Sequence, residues 1–226
     1  MRRAHSETTE KEEERLAIVL WVIVGWMEWI QFLGTHKQKA CWSLALEAQV
    51  DLEASVFLAL SGFVKQAIQV LRSWLELSLL GLWFSYSEKE FEKWMYRLPG
   101  APFAARSFFR RKWLVDLVSK SPKLKECERL YGLVDRLLKL YAQLSASTHT
   151  RGYWSFETIG RRRPIAAYNS NNFAKWYKHF WVAYSLVSAI LFLRFPDSYL
   201  QNRQEWDHVA SGMRGSDLQM VRKILT

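Results

Sequence analysis

Between Leu124 and Ser145, apolar side chains recur every three or four residues. Cys127, Leu130, Tyr131, Val134, Leu137, Leu138, Tyr141 and Leu144 share one side of a helical wheel, while Glu126, Arg129, Asp135, Arg136, Lys139 and Gln143 take the other. That spacing predicts an amphipathic α-helix with one face on a core. The punctuation agrees: five prolines and ten glycines in 226 residues suit long helices and disfavour a sheet with many short turns. The expected fold is therefore all-α, a multi-helix bundle with long antiparallel helices and an additional hydrophobic N-terminal helix.

The remaining helices follow from the same pattern. Residues 1–10 read as polar and loose, and acidic residues after Ser6 suit the start of a helix near Thr9 that runs to about Leu33. Further helices are expected over about 39–60, 63–86 and 88–97, then a loop at Leu98–Pro102 and a helix over about 104–118. Residues 150–170 read as a connecting excursion, and Asn172 to Leu193 as the last long helix, uncharged from Phe180 onward. After Pro196 comes a polar tail with a short terminal helix over about 216–224. Three regions result: 1–34 with the hydrophobic helix, 35–196 as the bundle core, and 197–226 as the tail.

The run Leu16–Met27 is uncharged, which raises the question of a membrane. A spanning helix needs about 20 predominantly apolar residues, and Glu28 and Gln31 interrupt the second half of this one. The preceding TEKEEER carries four glutamates and no small-residue cleavage site follows, unlike a secretory signal. A buried helix, a partner-binding helix and a membrane-associated helix all remain open. The location expected is cytoplasmic, with membrane association as the alternative. Cys41 and Cys127 stand alone without ligand spacing, which speaks against zinc and for a reducing compartment.

Charge points toward partners. A net charge of +10 favours polyanions, either nucleic acid or an anionic membrane face. Arg106, Arg110, Arg111 and Lys112 cluster beside Phe108, Phe109 and Trp113. Arg161, Arg162 and Arg163 form a second cluster in the excursion, with Arg151, Tyr153, Trp154 and Tyr168 nearby. Cations contact phosphates and exposed rings stack bases, so these are candidate nucleic-acid contacts. A solvated basic surface is the plain alternative. No P-loop, GxGxxG, HExxH or GxSxG element is present, so ATPase, dehydrogenase, zincin and α/β-hydrolase readings have no support.

Two constellations could carry chemistry. Arg72 and Glu76 are the only charged residues between Lys65 and Glu88, four apart on an apolar helix. They pair with each other to fix register, or they belong to a polar site assembled between helices. Leu144 to Gly152 gathers Ser145, Ser147, Thr148, His149 and Arg151 where the apolar stripe ends. His149 suits acid–base work because its ordinary pKa is near neutrality, or it caps the helix end. The candidate catalytic set is Arg72, Glu76 and His149, with no cofactor and no metal.

The run Leu71-Arg72-Ser73-x-x-Glu76-Leu77, followed by Leu130-Tyr131-Gly132 and Leu144-Ser145-x-x-x-His149, resembles a group of uncharacterised prokaryotic helical proteins near the HEPN superfamily. The resemblance covers roughly residues 45–195 and rests on these short motifs. It implies a helical bundle, and an RNA-directed protein of a toxin–antitoxin, CRISPR or abortive-infection type of system, often dimeric. The implied activity is metal-independent endoribonuclease or RNA binding. The catalytic signature of that superfamily is Arg, four to six residues, then His. No Arg stands at that distance before His149, and the spacing recurs at Arg203–His208, about as often as chance gives. The alternative expectation is a non-enzymatic partner subunit, or a membrane-associated defence effector that acts through the N-terminal helix.

Overall fold

The computed structural model describes residues 2–101, 109–148, 168–201 and 206–226. Within them the chain is an all-α helical bundle, with no strand among the described residues. In chain order the helices are α1 (Arg2–Lys11), α2 (Glu13–Thr35), α3 (Lys39–Leu60), α4 (Val64–Phe84), α5 (Glu88–Met95), α6 (Arg111–Ser119), α7 (Pro122–Tyr131), α8 (Leu133–Thr148), α9 (Ser170–Arg194), α10 (Pro196–Gln201), α11 (Asp207–Ser211) and α12 (Gly215–Leu225).

α9 is the axis of the bundle. Ala183 to Leu193 is buried without interruption. A helix that is apolar all round must be surrounded, and α2, α3, α4, α7, α8, α10 and α12 all touch this one. α3 and α4 form the most extensive helix pair, joined by a tight turn in which Gly62 adopts φ 83°. The fully buried Trp26, Trp29, Trp74 and Trp176 fill the space between helices. Trp26 meets Trp74 edge-on at 5.1 Å between ring centroids, and Trp29 packs against Phe192 and Trp206. Gly25 lets α11 settle on α2: a Cβ there would stand 2.9 Å from the Val209 Cα and closer still to the Tyr184 hydroxyl.

Three sequence expectations change. Residues 2–11 are helical rather than loose, and Ala4 and Thr8 are buried against the rest of the chain. The periodic stretch is two helices, not one. Gly132 takes the left-handed region at φ 58° and ends α7, and the Glu128 carboxylate accepts the Val134 amide at 2.7 Å to start α8. The break rotates the register, so Leu130 is exposed although its spacing fits the stripe. The tail, in turn, is part of the core through Trp206, Val209, Met213, Met220, Val221 and Ile224.

α2 is long and apolar enough to cross a membrane by length and composition, with mean hydropathy 1.9 over its best window. One third of that window is buried in the bundle. Its buried row is Val19, Val22, Gly25, Trp26, Trp29 and Leu33, and all but Gly25 belong to the same core cluster as α9.

His179 sits on α9 with little solvent access. Burial, then the nearby Lys175 and Lys178 charges, pull its pKa down to about 4. The unfolded chain takes up this proton near the ordinary value of about 6.5, so between those pH values the unfolded state binds more protons. Stability contributed by neutral His179 is thus complete above about pH 6.5 and falls as pH drops toward about 4. At pH 4.5 the expected loss is about 2 kcal/mol. Urea midpoints measured from pH 7 to 4.5 should fall less steeply for His179→Leu; identical profiles would refute the assignment.

Candidate functional site

Arg72 and Glu76 stand one turn apart on α4, and the Arg72 Nε donates to Glu76 Oε1 at 3.0 Å. The pair does not close on itself. Tyr141 of α8 reaches between the two: its hydroxyl donates to Glu76 Oε1 at 2.7 Å and accepts an N–H from the Arg72 guanidinium. The guanidinium also lies over the Tyr141 ring, 4.6 Å from its centroid. Phe109, just before α6, stacks on the cluster with its ring centroid 3.9 Å from that of Tyr141 and nearly parallel. Three elements therefore converge on one phenol.

Electrostatics follow from this geometry. Burial and the Glu76 carboxylate raise the Tyr141 pKa, against the lowering effect of Arg72, so the phenol keeps its proton near neutral pH. The Arg72 and Glu76 side chains are 28% and 32% exposed, so the cluster is reached by solvent from one side. A guanidinium carries five N–H donors, more than Glu76 and Tyr141 engage here. The arrangement can fix helix register and still present a cation to an oxyanion.

The basic segment meets the same place. Arg110 precedes the first residue of α6 and is exposed, as is Lys112. Arg111 is committed to an exposed ion pair with Asp135 of α8. Of the residues expected to bind nucleic acid, Arg106, Arg151, Arg161, Arg162 and Arg163 lie outside the described residues. So does His149, the expected acid–base group, which follows α8 directly. The structure brings Arg72, Glu76 and the Arg110–Lys112 segment together around α8. Tyr141 was legible only as one more member of an apolar stripe. Its signal was the phenol itself, since a buried tyrosine hydroxyl needs a polar partner and the apolar stretch of α4 offers Arg72 and Glu76 as its charged groups.

A second polar group lies at the far end of α2. Glu28 binds the His208 Nδ1, and the imidazole stacks on Trp21 at 5.1 Å. Glu28 and His208 border a cavity of about 920 Å³ walled by Phe32, His36, Arg194, Phe195 and Trp206. Arg194 is held there by Ser85, which receives N–H bonds of 3.0 Å on both its Oγ and its carbonyl. His208 is thus tied to α2; Arg203, which gave it the superfamily spacing, lies outside the described residues.

Among the described residues no group of three His, Cys, Asp or Glu is placed to hold a metal. Burial pushes both thiols, Cys41 and Cys127, up to about 12, so neither is a nucleophile at neutral pH. What the fold and site define together is an all-α bundle carrying a tyrosine-bridged Arg–Glu pair beside a basic helix start. Compared with protein-family models, curated proteins and solved structures, the chain finds no match.

Proposed function

We propose that this chain is a cytoplasmic RNA-directed protein of the prokaryotic defence or toxin class, and that it holds the RNA backbone at Arg72, Arg110 and Lys112. The observation that carries this reading is the convergence of the part-buried Arg72–Glu76–Tyr141 cluster with the exposed basic start of α6, through the Phe109–Tyr141 stack. The net charge of +10 supports it by drawing polyanions to the surface. Arg110 and Lys112 neutralise phosphates, and Arg72 donates to a phosphate oxygen placed against its open side. In the catalytic form of this reading, a ribose 2′-hydroxyl attacks the adjacent phosphorus and the 5′-oxygen leaves. His149 takes the 2′-hydroxyl proton and delivers it to the departing 5′-oxygen, and Arg72 stabilises the charge on the pentacoordinate phosphate.

Fluorescence anisotropy of labelled single-stranded RNA tests the binding half. Arg110→Ala combined with Lys112→Ala should weaken binding about tenfold and lower the slope of log affinity against log salt by about 1.4, the share of two phosphates on a single strand. Arg111→Ala should do less, because that cation is already paired with Asp135. Equal losses from all three positions, or none, would remove this interface. For the catalytic half, labelled RNA should be cleaved without divalent metal and left intact by His149→Ala. RNA left intact by the native chain at micromolar concentration would reduce the reading to binding.

A further inference from the structure

The helix α2 shows two unlike rows. Its inward row is core, whereas Ala17, Leu20, Val24, Met27 and Gln31 form an exposed row at spacings of three and four with no charge among them. Gly34 extends this row and backs onto the Trp42 indole of α3, where a Cβ would stand 3.0 Å from its Nε1. Trp42, Leu46 and Val50 then continue the exposed apolar surface along α3. From Ala17 to Gly34 the strip is about 25 Å long at about 1.5 Å per residue, and two helices about 9 Å apart give it a projected area of several hundred Å². That is comparable with the largest apolar patch on a typical monomer, about 300–600 Å², and the flanking charged residues would have to bring the contact up to the about 800 Å² per partner of a standard interface.

We propose that this face is a two-fold interface between two copies of the chain, with α2 packed antiparallel on its counterpart and Val24 at the axis. Charge placement selects this occupant. Exposed Glu13 and Glu14 open α2, and exposed Lys37 and Lys39 follow its end, with Lys39 lying 3.7 Å from Glu88. Val24 is midway between Glu13 and Thr35. An antiparallel pair therefore sets the acidic start of each helix on the basic end of the other, while a parallel pair opposes like charges. Isologous contacts require this self-complementarity, and rim charges fix register and exclude wrong arrangements. A bilayer suits the face less well: Glu47 and Glu53 are exposed on α3 beside the apolar row and would enter hydrocarbon with it. The interface is independent of the RNA reading.

Sedimentation velocity on the full chain without detergent tests the proposal, with a dimer expected at tens of micromolar. Val24→Glu should give a monomer with an unchanged far-ultraviolet helix signal. Val24→Cys should form a covalent dimer on mild oxidation, whereas Val115→Cys, exposed on α6, should not. Cys41 and Cys127 are buried, so the native chain gives no background. Lys37→Glu with Lys39→Glu should weaken the dimer at low salt, and adding Glu13→Lys with Glu14→Lys should restore it. A chain that stays monomeric at every concentration, or a dimer indifferent to Val24→Glu, overturns the assignment. So does a chain that needs detergent and floats with phosphatidylcholine–phosphatidylglycerol vesicles, an outcome that gives the face to a bilayer.

Discussion

Trp176→Ala is expected to lower the unfolding free energy by about 4 kcal/mol, a large part of the 5–15 kcal/mol that holds a typical domain folded. Trp176 is fully buried on α9 between the rings of Phe173 and Phe180. Its Nε1 donates to the Ser55 hydroxyl of α3 at 3.0 Å, and that hydroxyl donates to the Ala67 carbonyl of α4 at 2.8 Å. One indole thus fastens the central helix to both members of the α3–α4 pair. Alanine removes the ring contacts and leaves a cavity that three packed helices cannot close without moving together. Trp176→Phe keeps most of the volume, and Ser55 keeps its bond to Ala67, so a smaller loss is expected. Urea unfolding reads both as shifts in midpoint at constant slope. A loss below about 1 kcal/mol for the alanine variant would mean that the layers are not held together here.

Asp217→Ala should cost about 3 kcal/mol through a different mechanism. Asp217 lies in the first turn of α12 with its side chain 1% exposed. It pairs with Arg136 of α8 and accepts the Ser185 hydroxyl of α9 at 2.7 Å. Ser185 in turn accepts the Arg214 amide at 3.0 Å, just before α12. Removing the carboxylate strands a guanidinium that is only 30% exposed and also takes the favourable negative charge from the α12 N-terminus. The partial exposure of Arg136 keeps the loss below that of a fully buried pair. Asp217→Asn should lose less, and Arg136→Met combined with Asp217→Leu should recover most of it. Thermal unfolding of the three variants distinguishes this from simple lost packing. If the double variant were no more stable than Asp217→Ala, the stranded charge would not be the cause.

The Arg72–Glu76–Tyr141 cluster and the Asp217–Arg136 pair differ in how far they could be foreseen. Arg72 and Glu76 were visible because an apolar helix exposes its charges as exceptions, and an unanswered charge there would be costly. What answered was Tyr141, hidden among leucines because a tyrosine satisfies an apolar period as well as a leucine does. Asp217 had no signal at all. It stands in a polar-looking tail, and its burial depends on Arg136, 81 positions away in the chain. Gly132 was a similar loss: a glycine can pass through a helical pattern or stop it, and only the left-handed backbone observed there decides.

The sequence by itself determined the all-α class, the extents of α3, α4 and α9, and the isolation of one ion pair on α4. These follow from local rules, apolar spacing and the scarcity of chain breakers, which act within a few turns of helix. Tertiary structure alone decided that α1 is ordered, that the tail completes the core, and that one row of α2 is buried while the other faces outward. The reason is that burial is a property of neighbours. A uniformly apolar helix such as α2 carries no periodic mark of which side its partners will cover, so only the packed chain can assign its two faces.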